Sequence, residues 1–270
     1  MKNIWIITWF TLKEAMARKV FIFFFIISLL AILITGLVFA LSSNVNISAG
    51  GMKNMPFENP VTMIEMMIVS PLSSLCLLLA IFSSASFVPV MLEKGNIDLL
   101  LSKPVSRDQL LWGKFFGGIL VVLINIVFLV LGVWLIISIK FSNWNFAFLN
   151  IIVTVTFTFA VLYSLMILFG VLTKSSTLGM MSTYFVFIIL SPLLFAAKDK
   201  FYGMISSSLV KTMIDISYYI IPKTSELLGR ITNDLVSGKS IGNYQPILTS
   251  FAFLILTMGI SISIFRKKDF

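Results

Sequence analysis

The sequence predicts an all-α polytopic membrane protein, built as a single transmembrane domain over residues 1–270. Of its 270 residues, 59% are hydrophobic and only 11% are charged, whereas about 25% of the residues in a soluble domain are charged. A soluble monomer of this composition would expose larger apolar patches than such proteins tolerate. The long apolar runs are predicted to be helices, because backbone polar groups in a bilayer must be satisfied within the chain. A soluble enzyme and a disordered chain are both excluded.

Six apolar runs are long enough to cross a bilayer, which takes about 20 helical residues. The second run begins well upstream of its span, at Val61, and contains Glu65 and Pro71. We therefore expect a short outer helix that ends before Pro71 and a span that begins there. The six predicted spans are residues 20–41, 71–92, 115–139, 146–173, 178–197 and 246–265.

The distribution of Lys and Arg orients these spans. With six spans both termini lie on one side of the membrane, and that side carries 12 of the 20 Lys and Arg residues. Cytoplasmic flanks and loops hold the excess of positive charge in multi-pass proteins. We therefore predict a multi-pass protein of the cell (plasma or inner) membrane with both termini in the cytoplasm. The net charge of +9 is explained by this bias, and no nucleic-acid partner is expected.

Residues 1–19 predict an amphipathic helix at the cytoplasmic membrane surface. Its apolar stripe consists of Trp5, Trp9, Leu12 and Met16. Tryptophan suits the lipid headgroup level, so this stripe is expected to meet lipid. Thr11, Glu14 and Arg18 fall on the opposite stripe, with Glu14 and Arg18 in the favourable i, i+4 order. Two alternatives follow: the helix is only a membrane anchor, or its polar stripe docks a cytoplasmic partner.

The outer connection, residues 198–245, is too long for a structureless loop. Residues 209–221 form one apolar stretch, which Pro222 ends. Thr224 and Ser225 can cap a second helix that ends near Gly238. We expect two amphipathic helices resting on the outside of the bundle.

The connection between the second and third spans, residues 93–114, predicts a helix, a break and a second helix. Pro104 disfavours helical geometry at the residue before it. Ser106 then opens the second helix, with Gln109 three residues later completing a capping box. Gly113 and Gly117 give this helix a face for close packing. The residues alone leave two alternatives: a charged cytoplasmic loop, or a short helix that receives a push from a soluble partner.

This connection resembles the intracellular loop of ABC type-2 permeases, and most closely that of the six-span branch containing the permease of the nitrous-oxide-reductase maturation system. The residues that carry the resemblance are Glu93, Gly95, Leu99, Leu100, Leu101, Pro104, Arg107, Leu110, Gly113, Lys114 and Gly117. The segment Thr11-Leu-Lys-Glu14 and the pair Ile221-Pro222 are also similar to that family.

The resemblance implies that this loop is a coupling helix docked on a separate ATP-hydrolysing subunit, with the N-terminal helix packed beside it. It implies a pair of permeases, identical or related, together with two ATPase subunits. ATP and Mg²⁺ would bind in those ATPase subunits and not in this chain. Glu93, Gly95, Pro104, Arg107, Gly113 and Lys114 inherit the coupling role, and Glu14 and Arg18 belong to the interfacial helix.

Arg107 is singled out by its position. It lies in the first turn of the capped helix, where the helix dipole disfavours a cation. We therefore expect its guanidinium to meet a carboxylate or phosphate of the partner subunit. Neutralisation by Asp108 is the alternative.

Several chemistries are excluded. The chain has no His and a single cysteine, Cys76, so Ser–His catalysis and His-ligated zinc are absent. Gly238-Lys239-Ser240 lacks the earlier glycine of a phosphate-binding loop. We therefore predict no catalysis, and no cofactor or metal, in this chain.

Two further features leave alternatives open. Glu65 either reaches the outer interface or binds a substrate or cation. The outer methionines either pack or bind Cu(I); they are Met52, Met55, Met63, Met66 and Met67. The function is expected to be ATP-driven export, or else mechanical transmission to an extracytoplasmic partner protein without transport.

Overall fold

A computed structural model describes residues 2–17, 19–41, 60–93, 95, 105–198, 203 and 208–268. All regular structure in these ranges is helical. Six stretches are long and apolar enough to cross a membrane, which confirms the predicted fold class: Phe21–Leu41, Ile64–Met91, Arg107–Phe141, Phe146–Thr173, Ser176–Ala196 and Gln245–Lys267.

The helices in chain order are α1 (Lys2–Ala17), α2 (Lys19–Leu41), α3 (Pro60–Ser84), α4 (Phe87–Met91), α5 (Arg107–Phe141), α6 (Asn150–Thr173), α7 (Ser176–Tyr184), α8 (Ser191–Ala196), α9 (Ser208–Ile220), α10 (Thr224–Glu226), α11 (Thr232–Val236) and α12 (Gln245–Lys267). A 3₁₀ turn, Phe146–Leu149, leads into α6. Two π-helical turns, Phe185–Leu190 and Leu227–Ile231, join α7 to α8 and α10 to α11.

The break expected before Pro71 is absent, because α3 continues through this residue. Proline in a helix interior removes one backbone hydrogen bond. Neighbouring helices can compensate for this loss in a membrane protein. Here Val69 and Leu72, on either side, are buried in the core at 0% and 8% exposure. Packing on both sides therefore holds α3 as one helix.

The sixth helix, α6, is the centre of the bundle. In its most apolar stretch 72% of the residues are buried, compared with 11% in α2. The Tyr163 ring stacks between two other rings, that of Phe159 on the same helix and that of Phe115 on α5, with centroids 5.2 and 5.9 Å away. By contrast, α2 packs against α5 along one side, and most of its surface is exposed.

Buried hydroxyl groups bond mainly within their own helices. Thr158, for example, donates to the carbonyl of Thr154 one turn earlier, at 2.7 Å. Among the described residues, three hydroxyl pairs join different helices: Ser164 with Thr257 at 2.6 Å, Thr154 with Thr232 at 3.0 Å, and Ser191 with Ser225 at 3.2 Å. Such pairs let polar side chains link helices inside a membrane protein.

Hydrogen bonds define the two ends of the bundle. At one end, Arg107 donates to the carbonyl of Lys268, and Lys268 donates to the carbonyl of Val171; we call this the terminal end. At the other, Asn145 donates to Glu65 and to the carbonyl of Val236; we call this the loop end. Successive spans therefore run in opposite directions through the bundle.

The second helix expected in residues 198–245 is buried within the loop end of the bundle and does not rest on its outside. It is divided into α10 and α11 by the π-helical turn. Leu227, Ile231 and Val236 are 1–3% exposed. The predicted end near Gly238 is confirmed, since this glycine has a φ of +69°, which suits the residue after a helix.

Candidate functional site

The capping box at the start of α5 is present as predicted. The Ser106 hydroxyl accepts from the Gln109 backbone N–H at 3.2 Å, and the Ser106 N–H donates to the Gln109 side chain at 3.3 Å. Asn3 of α1 donates to the same side-chain oxygen of Gln109 at 3.2 Å. The cap of α5 is therefore also an attachment point for α1.

Along α5, Gly113 and Gly117 form the close-packing face that the sequence predicts, and α1 of the same chain covers it. A Cβ atom at Gly113 would lie 2.5 Å from the Ile7 side chain, and one at Gly117 would lie 2.5 Å from Thr11. Contacts therefore advance by four residues on both helices, so α1 runs beside α5 in the same direction. The two glycines permit this close approach.

The face that α1 buries differs from the one expected. Trp5, Trp9 and Met16 are 50–66% exposed, in agreement with a lipid-facing stripe, but Leu12 is only 5% exposed. Thr11, expected on the polar stripe, is 1% exposed against α5. The described part of the polar stripe is thus occupied by the same chain. Arg18 lies outside the described residues.

Two of the predicted site residues, Glu14 and Lys114, form an ion pair. The Lys114 Nζ lies 2.7 Å from the Glu14 Oε2, and the two side chains are 3% and 25% exposed. The backbone carbonyl of Lys114 also accepts from the Tyr163 hydroxyl at 3.4 Å. A buried cation without its partner is strongly destabilising. The pair therefore fixes the position of α1 on α5.

Arg107 does not bond to Asp108 as the alternative expected; its described hydrogen-bond partners are carbonyl groups of its own chain. Its Nη1 donates to the carbonyls of Phe265 at 3.0 Å and Arg266 at 3.1 Å, and also to Lys268. The last carbonyls of a helix have no partner within that helix. A cation there also meets the negative end of the helix dipole. Arg107 thus caps the C-terminus of α12.

The neighbouring Asp108 strengthens the same junction. Its carboxylate accepts from Arg266 at both oxygens, with the Arg266 Nε 2.7 Å from Oδ1. Paired contacts between a guanidinium and a carboxylate fix orientation as well as distance. Together the two contacts bind the first turn of α5 to the last turn of α12.

Lys268 extends this chain of caps to the central helix. Its Nζ donates to the carbonyls of Val171 and Leu172 at 2.5 and 3.1 Å, near the C-terminus of α6. Burial, and then the charge of nearby Lys174, lower the pKa of Lys268. The starts of α1 and α5 and the ends of α6 and α12 therefore meet in one hydrogen-bonded cluster, which we call the terminal junction.

The remaining predicted coupling residues lie just upstream. Glu93 is exposed after α4, and Gly95 has a φ of +90°, a conformation for which glycine is preferred. Pro104 lies outside the described residues, as does most of the connection between Gly95 and Val105. The structure thus describes the two ends of the predicted docking segment.

At the loop end, Glu65 does not extend to the interface, because it is only 1% exposed. Its Oε2 accepts from the Asn145 side chain at 2.6 Å. Asn145 also donates to the Val236 carbonyl at 3.2 Å, and its own carbonyl accepts from the Trp134 indole at 2.9 Å. Glu65 therefore fastens α3 to α11. Met52 and Met55, from the methionine cluster, lie outside the described residues.

Comparison with known families agrees with this architecture. The sequence profile of a family described as "ABC-2 family transporter protein" matches residues 8–270, which is nearly the whole chain. No curated protein matches the sequence. The six apolar helices and this match lead to the same assignment. The chain belongs to the ABC-2 family, whose members are the permease subunits of ABC transporters and associate with an ABC ATPase subunit.

Proposed function

We propose that this permease is the membrane subunit of an ATP-driven exporter and couples ATP hydrolysis in a separate ATPase subunit to substrate export. ATP and Mg²⁺ bind in that ATPase. The protein lies in the cell membrane, with the terminal end of the bundle on the cytoplasmic side. The chain pairs with a second copy or a related permease. The terminal junction is the observation that supports this proposal most directly.

The terminal junction suits a coupling role because it joins the predicted docking segment to the spans. Residues 93–105 lead directly into the Ser106 cap of α5, a continuous helix of 35 residues. Arg107 and Asp108, the first two residues after that cap, hold the end of α12. Lys268 then holds the end of α6. A displacement of the docking segment would therefore move three spans together.

The packing inside one chain supports a transport route between two chains. The centre of α6 is filled with large apolar side chains, among them Phe159 and Leu162 at 0% exposure. The buried hydroxyls of Thr154, Thr158 and Ser164 bond to nearby carbonyls or to a hydroxyl of another segment, whereas that of Thr156 has no partner among the described residues. A substrate would therefore pass along a surface of the chain that a second permease completes.

The division of labour is tested by purifying the permease alone and together with its ATPase subunit. We expect no ATP hydrolysis by the permease alone and permease-stimulated hydrolysis in the complex reconstituted into vesicles. The matched control is a complex whose ATPase subunit binds ATP but does not hydrolyse it. ATP hydrolysis by the purified permease alone would contradict the proposal.

A further inference from the structure

The helix α9, in the outer connection, directs an apolar stripe away from the protein. The stripe consists of Leu209, Met213, Ile216 and Ile220, spaced so that they share one helix face. These side chains are 79%, 69%, 55% and 62% exposed. We call this face the α9 stripe.

The opposite face of α9 carries its polar contacts and is turned toward the protein. Asp215 forms an ion pair with Lys198 at 2.8 Å. Tyr218 is 8% exposed, and its hydroxyl donates to the Glu226 carboxylate. The Lys223 ammonium lies 3.9 Å from the centre of the Tyr218 ring. A helix on a protein surface in water directs its polar face outward. The reversed orientation of α9 indicates that its surroundings are apolar.

The position of α9 identifies those surroundings. It packs against α8 and α12, the outer parts of two membrane-spanning segments. Both of these helices also expose apolar side chains, since Leu193 of α8 and Leu248 of α12 are 60% and 66% exposed. The α9 stripe therefore belongs to a helix packed on two membrane-spanning segments that themselves have apolar outward surfaces.

We propose that α9 is a lipid-anchoring helix whose stripe lies among the phospholipid acyl chains of the leaflet at the loop end. With 13 residues, it is shorter than the roughly 20 needed to span, so it lies within one leaflet. At the boundary, Tyr219 is 54% exposed and the Lys198 ammonium lies 5.0 Å from its ring centre. Aromatic and cationic side chains of this kind are typical of the headgroup level.

This anchor also sets the position of the buried part of the outer connection. Only Ile221, Pro222 and Lys223 separate α9 from α10, and α10 leads into the segment that closes the loop end. Tyr218 of α9 is bonded directly to Glu226 of α10. The lipid leaflet would thus hold the α10–α11 segment in place through α9.

The test measures collisions of a nitroxide with oxygen and with a water-soluble nickel chelate. The full-length protein in phospholipid nanodiscs carries Cys76→Ala and one labelled cysteine: Leu209→Cys, Met213→Cys or Ile216→Cys on the stripe. Phe251→Cys, at an outward position of α12 with 51% exposure, is the lipid control. Lys239→Cys, in the exposed turn after α11, is the water control.

We expect the three stripe positions to match Phe251→Cys, with several-fold more oxygen access and several-fold less nickel access than Lys239→Cys. Nickel access equal to that at Lys239→Cys would show that the stripe faces water, and would overturn the proposal. Exclusion of both reagents would show contact with protein, such as a second copy or an outer partner, and would also overturn it.

Discussion

The Lys114 ammonium of α5 and the Glu14 carboxylate of α1 lie 2.7 Å apart, although 100 residues separate them in the sequence. The pair sits beside Gly113 and Gly117, where the backbones of the two helices approach closely. Electrostatics and close packing thus act at the same place. This interface makes α1 part of the bundle and places it next to the cap of α5.

Replacing Lys114 by Met should destabilise the protein by about 3 kcal/mol, the lower end of the range for breaking a buried ion pair, because Glu14 is partly exposed. The double variant Glu14→Leu, Lys114→Met should recover part of that loss, since the buried pair is then removed as a unit. Thermal unfolding in detergent measures both effects. The exposed Lys13→Met is the control. Equal stability of Lys114→Met and the wild type would contradict the structural role of the pair.

Alanine at Gly113 or Gly117 should loosen α1. The new methyl group would lie 2.5 Å from Ile7 or Thr11, and overpacking of this kind costs about 1–3 kcal/mol. Gly259→Ala on α12 is the matched control, because nothing lies within 4 Å of its added Cβ. Limited proteolysis of the N-terminal helix, together with unfolding temperature, provides the measurement. Unchanged protection of α1 in Gly113→Ala would argue against the close contact.

At the loop end, Glu65→Gln should be tolerated better than Glu65→Ala. Glutamine keeps an oxygen for the Asn145 donor, whereas alanine leaves a buried polar group unsatisfied at a cost of about 1–3 kcal/mol. The difference in unfolding free energy between the two variants measures the hydrogen bond. Equal losses in both variants would instead indicate that the carboxylate charge itself is required.

Lys223 predicts a pH dependence of stability. Burial lowers its pKa to about 8, from an ordinary value of 10.5, although Glu226 opposes this shift. Between these two values the unfolded chain binds more protons than the folded one, so stability should rise with pH. The penalty is fully present below pH 8 and decreases as pH rises toward 10.5.

The measurement compares unfolding temperatures of the wild type and Lys223→Met across this window. The wild type should gain stability relative to the variant as pH rises from 8 to about 9.5. Higher pH is avoided because burial and the bond to Glu226 raise the pKa of Tyr218, which adds an opposite effect. A constant difference between the two proteins would contradict the shifted pKa.

Local patterns predicted those features that depend on neighbours in the sequence. The number of spans follows from long apolar runs, and the Ser106 cap follows from residues three apart. Which residues meet at each interface could not be predicted this way. Leu12 is buried because the glycines of α5 admit α1, and Pro71 is accommodated by packing on both sides of α3. Nothing near either residue in the sequence indicates these contacts.

The candidate site shows the same contrast between residues that local patterns predict and contacts that they do not. The sequence singles out Arg107 as a cation at the start of a helix, but the hydrogen-bond partners that the described residues provide are carbonyls more than 150 residues away. Likewise, Glu65 is paired with Asn145, 80 residues further along the chain. A single sequence contains no signal for such pairs, so the residues could be predicted while their partners could not.

We expect the terminal junction to pass motion from the start of α5 to α12 and α6. Arg107→Ala and Ser106→Ala should both lose stability, the latter by about 1 kcal/mol through loss of the cap. Of these two variants, only Arg107→Ala removes one of the two contacts that bind α5 to α12; the Asp108–Arg266 pair remains. Lys267→Ala, an exposed cation on the same turn of α12, is the control for charge.

The most direct test is the rate of permease-stimulated ATP hydrolysis by the reconstituted complex, measured alongside its thermal stability. We expect a several-fold lower rate for Arg107→Ala, a smaller loss of rate for Ser106→Ala when the two variants are equally stable, and a wild-type rate for Lys267→Ala. A wild-type rate for Arg107→Ala, or a loss no larger than that of Ser106→Ala at equal stability, would contradict this expectation.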